Sequence, residues 1–489
     1  MLEIGCGRLQ GAPWRDGAVH AWRGVPYASP PVGARRFAAP VPHPGWAGVR
    51  DATAGGSSAP QPVPMRPGPL STWLSARRSR SEDCLFLDVW APVEPASPRP
   101  VVVWIHGGSF TTGAGSEIDA SRLADEGDVV VVTVNYRLGG LGFVDVGDAV
   151  GGDERIVSNP GLRDQLAALE WVRDHIGAFG GDPARVTIAG ESAGSASVTL
   201  LATSPRARGL FRGVIAQSGA LTLAIDRDDA ARNARVVLDE LGVSRERIDE
   251  LWRRPASAIV AATARAQRRR TGALVTRPWW DDDLLPASLA DGYASFAPVP
   301  LLIGSNADEH RTFTRLRKDV MPLTREALGT VLVESLGVDH AGRVLAEYPE
   351  GADGLNDLGS DLVFGMPSVH LAERQAAHTS SYLYRLDFAS RLRALGSFHA
   401  IELTQLFPSD PRVDRLLFGR PSAERDAFGA DLRARWLQFV REGQPGDDWP
   451  VYDPGGDRLI RRWNLSSATE SDPWSARRRA WAGRDVTIH

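Results

Sequence analysis

The sequence predicts an α/β fold in which helices cover both faces of a mostly parallel central sheet. The first observation is a series of apolar runs, rich in β-branched residues, that do not alternate between apolar and polar positions. Continuous runs of this kind are typical of strands buried on both faces. They span residues 101–107, 128–137, 185–192, 213–219, 299–306 and 381–388.

The second observation is helical periodicity between the apolar runs. Residues 161–176 repeat apolar side chains at the spacing of one helix face, and residues 322–337 and 422–443 predict further amphipathic helices. A succession of strand, helix and strand is the arrangement of a parallel sheet with crossover helices. We therefore predict a single domain over residues 1–489.

Three further regions complete this prediction. The segment around 221–281 is rich in arginine and alanine and has no strand pattern, so it predicts helices laid over one end of the sheet as a cap. The region around 310–380 is expected to contribute to the same cap. The Pro-, Gly- and Ser-rich stretch 52–71 predicts a surface loop within the domain.

Composition narrows the classes of function. The formal net charge is −4, with 43% hydrophobic and 24% charged residues, which gives no general attraction to nucleic acid or to an anionic membrane. No apolar stretch is long enough to predict a membrane span, and the amino terminus has no signal-peptide pattern. The only cysteines, Cys6 and Cys84, do not make a disulfide framework, so we expect a reduced, cytoplasmic protein. The single lysine, Lys318, favours a GC-rich, bacterial-type genome.

The sequence "GESAG" places Ser192 between two glycines, after the strand pattern "RVTIA" and before a helix. A G-x-S-x-G turn of this kind lifts a serine hydroxyl above the carboxyl end of a sheet, where α/β proteins place their chemistry. The helix that follows directs its positive end at the serine. The alternative is an ordinary glycine-rich turn between strand and helix.

A second glycine-rich stretch, "WIHGGSF", follows the strand pattern 101–107. Loops of this H-G-G type supply backbone N–H groups that stabilise an oxyanion, and Gly107, Gly108 and Ala193 would supply them here. A phosphate-binding loop is disfavoured because neither of its glycine patterns is present. His106 is expected to support the loop rather than to react.

A nucleophilic serine needs a base, and the base needs an acid to orient it. Among the histidines after Ser192, His399 lies in a loop after a late strand, where a base is expected, whereas His370 and His378 are expected on the surface of a helix. Glu309 follows the strand pattern 299–306 and is the candidate acid. Asp308 competes with it, so the residues alone leave the acid open.

Taken together, these motifs resemble the type-B carboxylesterases, the carboxylesterase and cholinesterase branch of the α/β-hydrolases. The similar stretches run almost from end to end: "WRGVPYASPPVGARRFAAP" (22–40), "SEDCLFLDVW" (81–90), "VNYRLGGLGF" (134–143), "NPGLRDQLAALEWV" (159–172), "FGGDPARVTIAGESAGS" (179–195), "GSNADEH" (304–310) and "GSFHAIEL" (396–403).

The resemblance implies an α/β-hydrolase fold and a serine carboxylesterase that forms an acyl-enzyme. It implies Ser192 as nucleophile, His399 as base and Glu309 as acid, because the family's acid is a glutamate. It also implies an oxyanion hole of Gly107, Gly108 and Ala193, and supporting roles for Glu191 and Ser218. Two buried ion pairs are expected, Arg36 with Glu82 and Arg137 with Asp164. No metal or organic cofactor is implied, and the partner is a small-molecule ester, with the chain a monomer or homodimer.

The chain also departs from the family pattern. Ala59 stands where the family often has a cysteine, so Cys84 lacks its usual partner, and His310 replaces a glycine beside the acid. Trp73 is offset from the cholinesterase tryptophan. The same machinery would serve carbamates, amides or thioesters, and a non-catalytic binding protein is a further alternative. Candidate pocket residues, each of which would equally suit the core, are Phe110, Leu221, Trp279, Trp280, Phe313, Phe364 and Met366.

Overall fold

An eleven-stranded sheet forms the centre of the computed structural model, which describes residues 1–63, 79–93, 98–270, 272–407 and 410–488, apart from the side chain of Asp148. The strands are β1 (Leu2–Ile4), β2 (Gly7–Gln10), β3 (Ala12–Trp14), β4 (Val19–Pro26), β5 (Val49–Asp51), β6 (Phe86–Pro92), β7 (Arg99–Ile105), β8 (Val130–Val134), β9 (Gly181–Glu191), β10 (Gly213–Gln217), β11 (Leu301–Asn306), β12 (Ser381–Leu386), β13 (Leu459–Trp463) and β14 (Ala468–Ser471). Strands β1, β2 and β5 form a separate three-stranded sheet, and the other eleven form the central sheet. Trp73, His489 and part of the predicted 52–71 loop lie outside the described residues.

The middle of the sheet is parallel and its margins are antiparallel. The strand order is β14-β13-β12-β11-β10-β9-β7-β8-β6-β4-β3, and β13 through β8 in this order run parallel. The outer pairs at both edges are antiparallel. The predicted α/β class with a mostly parallel central sheet is confirmed, and each of the six apolar runs overlaps one strand.

The α-helices are α1 (Ser121–Gly127), α2 (Val146–Ala149), α3 (Pro160–His175), α4 (Ala193–Thr203), α5 (Arg227–Leu241), α6 (Glu250–Arg253), α7 (Ala256–Arg269), α8 (Leu289–Ser295), α9 (Glu309–Arg315), α10 (Arg325–Leu336), α11 (Val338–Ala346), α12 (Ala352–Ser360), α13 (Met366–Gln375), α14 (Leu403–Leu406), α15 (Pro411–Phe418), α16 (Ala423–Glu442) and α17 (Ser475–Trp481). The predicted helices at 161–176, 322–337 and 422–443 correspond to α3, α10 and α16. Helices α5 to α7 fall within the predicted 221–281 region, and its action as a cap stays a prediction.

The continuous apolar runs are explained by two hydrophobic cores, one on each face of the sheet. Along β7, Val101, Val103 and Ile105 pack into one core, while Val102 and Trp104 pack into the other. A strand whose side chains pack into both cores has no face exposed to solvent, so its residues are apolar throughout. In the part of the chain described, no helix is both long and apolar enough to cross a membrane, and no cluster of three or more candidate metal ligands occurs. Cys6 and Cys84 are free thiols.

Both expected ion pairs are present. The Arg36 guanidinium donates to both carboxylate oxygens of Glu82, at 2.6 and 2.7 Å. Arg137, which follows β8, donates to both carboxylate oxygens of Asp164 on α3, at 2.8 and 2.6 Å, and this pair is fully buried. Arg137 also donates to the carbonyl oxygen of Ala38 at 2.9 Å, so one side chain joins the sheet, a helix and the amino-terminal loop.

We expect Asp164→Asn to lower the free energy of unfolding by about 3–5 kcal/mol, because it leaves the buried Arg137 cation without its counter-charge. Urea denaturation followed by circular dichroism measures the change. The control is Asp174→Asn, which removes an exposed partner of Arg173 and should not change stability measurably. Equal stability of the two variants would contradict the importance given to the buried pair.

Candidate active site

The turn between β9 and α4 holds Ser192 in a backbone conformation that side chains rarely adopt. Its φ is 58° and its ψ is −121°, and its N–H donates to the Gln217 carbonyl at the end of β10 at 2.8 Å. A Cβ at Gly190 would collide with the Gly194 carbonyl group, and a Cβ at Gly194 would collide with the carbonyl oxygen of Ile105 at the end of β7. The two glycines therefore allow the turn to press against the neighbouring strand while the Ser192 side chain lies at the carboxyl edge of the sheet.

The glycine loop after β7 lies directly beside this turn. A Cβ at Gly107 would stand 3.1 Å from the Ser192 Cβ and 2.7 Å from the Glu191 carbonyl oxygen, so only glycine fits. Gly108 has a φ of 116° and its carbonyl accepts N–H bonds from Thr111 and Thr112, each 3.0 Å long. Among the described residues, the N–H groups of Gly107, Gly108 and Ala193 have no recorded hydrogen-bond acceptor. These three N–H groups belong to the serine turn and to the glycine loop beside it.

His106 supports the glycine loop through contacts rather than through charge. Its ring stacks on Tyr136 with centroids 4.4 Å apart, and its Nδ1 lies 2.8 Å from the Gly107 carbonyl oxygen. The Tyr136 hydroxyl donates to the His106 carbonyl oxygen at 2.6 Å. Burial lowers the pKa of His106 to about 4, so the ring is neutral near pH 7.

Glu309 and His399 meet at the same edge of the sheet. His399 Nδ1 lies 2.6 Å from Glu309 Oε2, and the other carboxylate oxygen accepts the N–H of Asn306, the last residue of β11, at 2.7 Å. Glu309 is completely buried. The His399 N–H donates to the Thr312 hydroxyl at 3.0 Å, and the Phe313 ring packs on the imidazole. The imidazole is therefore fixed from several sides.

The competing residues point elsewhere. Asp308 accepts the Ser397 N–H at 2.8 Å and an Asn356 side-chain bond at 3.2 Å, which uses its carboxylate for loop structure. His310 is buried beneath Gly359, with Nε2 2.8 Å from the Pro322 carbonyl oxygen, and does not line the cavity beside Ser192. The geometry therefore pairs His399 with Glu309.

The expected surface position of His370 is wrong. His370 is buried, and its Nδ1 lies 2.8 Å from Asp485 Oδ1. Helix periodicity did not show this contact because Asp485 lies in the carboxyl-terminal segment. His378 is exposed as expected.

Two further carboxylates surround the imidazole. Glu191 Oε1 lies 3.2 Å from His399 Nε2. Glu402 accepts a hydrogen bond from the Asn306 side-chain amide at 2.7 Å, and its other carboxylate oxygen lies 3.5 Å from the Gln217 side-chain amide nitrogen. Burial raises the pKa of Glu191 and of Glu402. Burial opposes a charge on His399, but the carboxylates of Glu191 and Glu309 outweigh it and raise the pKa of His399 above its ordinary value. No hydrogen bond joins His399 to the Ser192 hydroxyl in this state, since Nε2 faces Glu191.

Ser218 does not bond the acid as expected. Its hydroxyl is buried without a hydrogen-bond partner among the described residues, while its N–H donates to the Gly304 carbonyl at 2.9 Å. The φ of 56° turns the chain sharply after β10, so Ser218 contributes through the backbone. Sequence reasoning missed Glu402, whose one signal is its position three residues after His399 in "HAIE".

A cavity with about 600 Å³ of empty space, part of it open to solvent, leads to Ser192. Of the candidate pocket residues, Phe110, Phe313 and Phe364 line it, whereas Leu221, Trp279, Trp280 and Met366 are buried in the core instead. Its lining comes mostly from segments outside the sheet: residues 109–110, 222–223, 273–277, 313–321, 362–364 and 486–488.

This fold and this arrangement of residues are those of an α/β-hydrolase with a serine turn, and the chain matches the carboxylesterase family over residues 1–472. It is 36% identical to the para-nitrobenzyl esterase of Bacillus subtilis over 96% of both chains, and 33% identical to the phenmedipham hydrolase of Pseudarthrobacter oxydans over 89% of this chain and 90% of that one. The protein belongs to the carboxylesterase family and is a carboxylic ester hydrolase.

Solved structures give the same result. A PNB esterase structure superposes with a TM-score of 0.89 at 35% identity over 98% of both chains. A carboxylesterase of Geobacillus stearothermophilus superposes with a TM-score of 0.85 at 33% identity over 98% of this chain and 99% of that one.

We expect Gly194→Ala to lower kcat/KM for a 4-nitrophenyl ester by roughly 100-fold, because the new methyl group would displace the turn from β7 and misplace Ser192. Steady-state kinetics measure the effect. Gly342→Ala is the matched control: it lies in a helix with open space around its Cβ position and should leave kcat/KM unchanged. Full activity of Gly194→Ala would contradict the close approach described above.

Proposed function

We propose that this carboxylesterase hydrolyses small esters through an acyl-enzyme, with Ser192 as nucleophile, His399 as general base and Glu309 as the acid that orients His399. The observation that supports this most directly is the 2.6 Å contact between Glu309 and His399 at the sheet edge that also holds the Ser192 turn. The three uncommitted N–H groups beside Ser192 support an oxyanion hole.

In the first half-reaction the Ser192 oxygen attacks the ester carbonyl carbon while Nε2 of His399 takes the hydroxyl proton. The carbonyl oxygen becomes an oxyanion, which accepts hydrogen bonds from Gly107, Gly108 and Ala193. When the tetrahedral centre collapses, the bond to the alcohol oxygen breaks and His399 protonates the leaving alcohol. Water then attacks the acyl-enzyme, with His399 again taking a proton, and the carboxylic acid leaves Ser192 free.

Glu191 has a defined place in this scheme. With the imidazole protonated, Nδ1 donates to Glu309, and the Glu191 carboxylate lies 3.2 Å from Nε2, where it attracts the positive charge. Loss of the Nε2 proton turns that nitrogen into an acceptor, which removes its attraction to the Glu191 carboxylate and leaves it for the Ser192 hydroxyl. Neutral His399, whose Nε2 can accept the Ser192 hydroxyl proton, is thus the reactive form.

We expect Ser192→Ala to lower kcat/KM by at least ~10⁴-fold on a 4-nitrophenyl ester series from acetate to palmitate, because the nucleophile is gone. Hydrolysis assays measure turnover, and the series also reports which acyl lengths the cavity accepts. Ser195→Ala, on the same helix but bonded through its hydroxyl to the Gly219 carbonyl oxygen, is the control for loss of a neighbouring hydroxyl. An active Ser192→Ala enzyme would rule out the proposed nucleophile.

The acid limb of the pH profile of kcat/KM should reflect His399. Because the pKa of His399 is raised and the neutral form reacts, wild-type activity should appear only above the ordinary histidine pKa as pH rises. Glu191→Gln removes one carboxylate that stabilises the imidazolium, so it should lower this pKa and move the limb to lower pH. Stopped-flow or steady-state rates across pH 5–10 measure the shift. Glu170→Gln, on the surface of α3, should leave the limb in place, and an unmoved limb in Glu191→Gln would contradict the assignment.

A further inference from the structure

Arg277 is the only charged residue among the described residues that line the cavity at Ser192. The other lining residues are apolar apart from three hydroxyl-bearing ones, Ser109, Ser192 and Thr222. Arg277 is 4% exposed, so its cation is held in the protein and away from bulk water. A charge at the wall of an apolar substrate cavity needs a physical reason, because burying it is costly.

Within the described residues, the hydrogen-bond partners of the guanidinium are three backbone carbonyl groups. Nε donates to the Leu223 carbonyl at 2.8 Å, Nη2 donates to the Thr222 carbonyl at 3.0 Å, and Nη1 donates to the Ile488 carbonyl. All three of these partner residues also line the cavity, so the guanidinium lies at its wall.

No carboxylate within the described residues forms an ion pair with Arg277. Asp229 and Asp226 act on it only at a distance, and Asp229 is itself paired with Arg232. Arg137 differs in this respect: it is equally buried, but it donates to both carboxylate oxygens of Asp164. Burial lowers the pKa of Arg277 to about 10, which leaves it charged near pH 7.

The donor count leaves room for a ligand. A guanidinium has five N–H groups, and three of them are used by the three carbonyls. Each terminal nitrogen therefore retains one N–H. A planar pair of this kind matches the two oxygens of a carboxylate.

We propose that Arg277 binds an anionic group of the substrate, so that the preferred substrates are esters that carry a free carboxylate, joined by an apolar linker to the ester group at Ser192. This inference rests on the proposed role of Ser192. The free carboxylate takes no part in the reaction: water cleaves the ester to an acid and an alcohol, and the distal carboxylate remains bound to Arg277 throughout. If Arg277 served only to hold the Ile488 carbonyl group, no positive charge would be needed, because a neutral side-chain amide can also donate to a carbonyl.

The test compares anionic esters with neutral esters of the same shape. Hydrogen 4-nitrophenyl adipate is paired with 4-nitrophenyl 6-methylheptanoate, in which an isopropyl end replaces the carboxylate, and longer and shorter homologues form a series. A second pair, 4-carboxyphenyl and 4-isopropylphenyl acetate, places the charge on the alcohol side. The measured quantity is the ratio of kcat/KM for the anionic ester to that for its neutral partner, in wild type and in variants.

In at least one series we expect this ratio to fall roughly 10- to 100-fold in Arg277→Gln, the range of a charge-assisted hydrogen bond. Arg277→Lys should retain part of the preference, because it keeps the charge but not the planar pair of donors. Arg212→Gln is the matched control, since Arg212 is a partly buried arginine that donates to the Val440 and Arg441 carbonyls away from the cavity. Its ratio should equal that of wild type.

An unchanged ratio in Arg277→Gln in both series, with neutral-ester turnover preserved, would overturn the proposal and leave Arg277 as an anchor for the chain near Ile488. If circular dichroism shows that this variant does not fold, the test uses inhibition of the wild-type enzyme instead. Linear dicarboxylates should then inhibit neutral-ester hydrolysis at least ~10-fold more strongly than the corresponding diamides. Equal inhibition would overturn the proposal. Neutral-ester turnover that survives in Ser192→Ala would instead defeat the proposed function, which separates the two failures.

Discussion

The close approach of the 190–194 turn to the end of β7 is the constraint on which the rest of the site depends. Gly194 packs against the Ile105 carbonyl oxygen, and Gly107 packs against Ser192 and Glu191. These contacts exist because β9 and β7 are neighbours in register, with Gly190 opposite Ile105. Sheet register therefore sets the distance between the serine turn and the glycine loop whose backbone N–H groups form the proposed oxyanion site.

The second constraint is the number of buried charges around His399. Glu191, Glu309 and Glu402 are all buried around one imidazole, and three buried carboxylates cannot all be ionised beside a single cation without a large cost. The raised pKa of Glu191 and of Glu402 and the raised pKa of His399 are parts of one coupled titration. Asn306 binds two members of this group, since its N–H donates to Glu309 and its amide to Glu402. The end of β11 thus fixes the acid and the neighbouring carboxylate together.

The sequence predicted those features of the fold that depend on the pattern of neighbouring residues along the chain. The parallel strands were predictable because a strand that fills two cores must be apolar throughout, as Val101 to Ile105 are. The antiparallel edge strands β3 and β14 were not predicted because they are short and only partly buried, so their composition resembles that of loops. The choice between Glu309 and Asp308 was open on residue type and chain order; in the structure Glu309 contacts His399, whereas Asp308 accepts the Ser397 backbone N–H. Glu402, the hydroxyl of Ser218, the partner of His370 and the environment of Arg277 depend on contacts between distant segments, which periodicity does not encode.

Reactive groups and cavity walls come from different parts of the chain, and this division bears on specificity. Ser192, Glu309 and the glycine loop lie at strand ends, where the sheet holds them rigidly. The walls come from loops, short helices and the segment that holds Val486 and Ile488. Loops accept substitutions with little effect on the sheet, so the pocket can change while the reacting geometry is retained. Identity of about one third to other esterases therefore accompanies the same fold, and the proposed selectivity for anionic esters rests on one buried arginine at the cavity wall, outside the sheet.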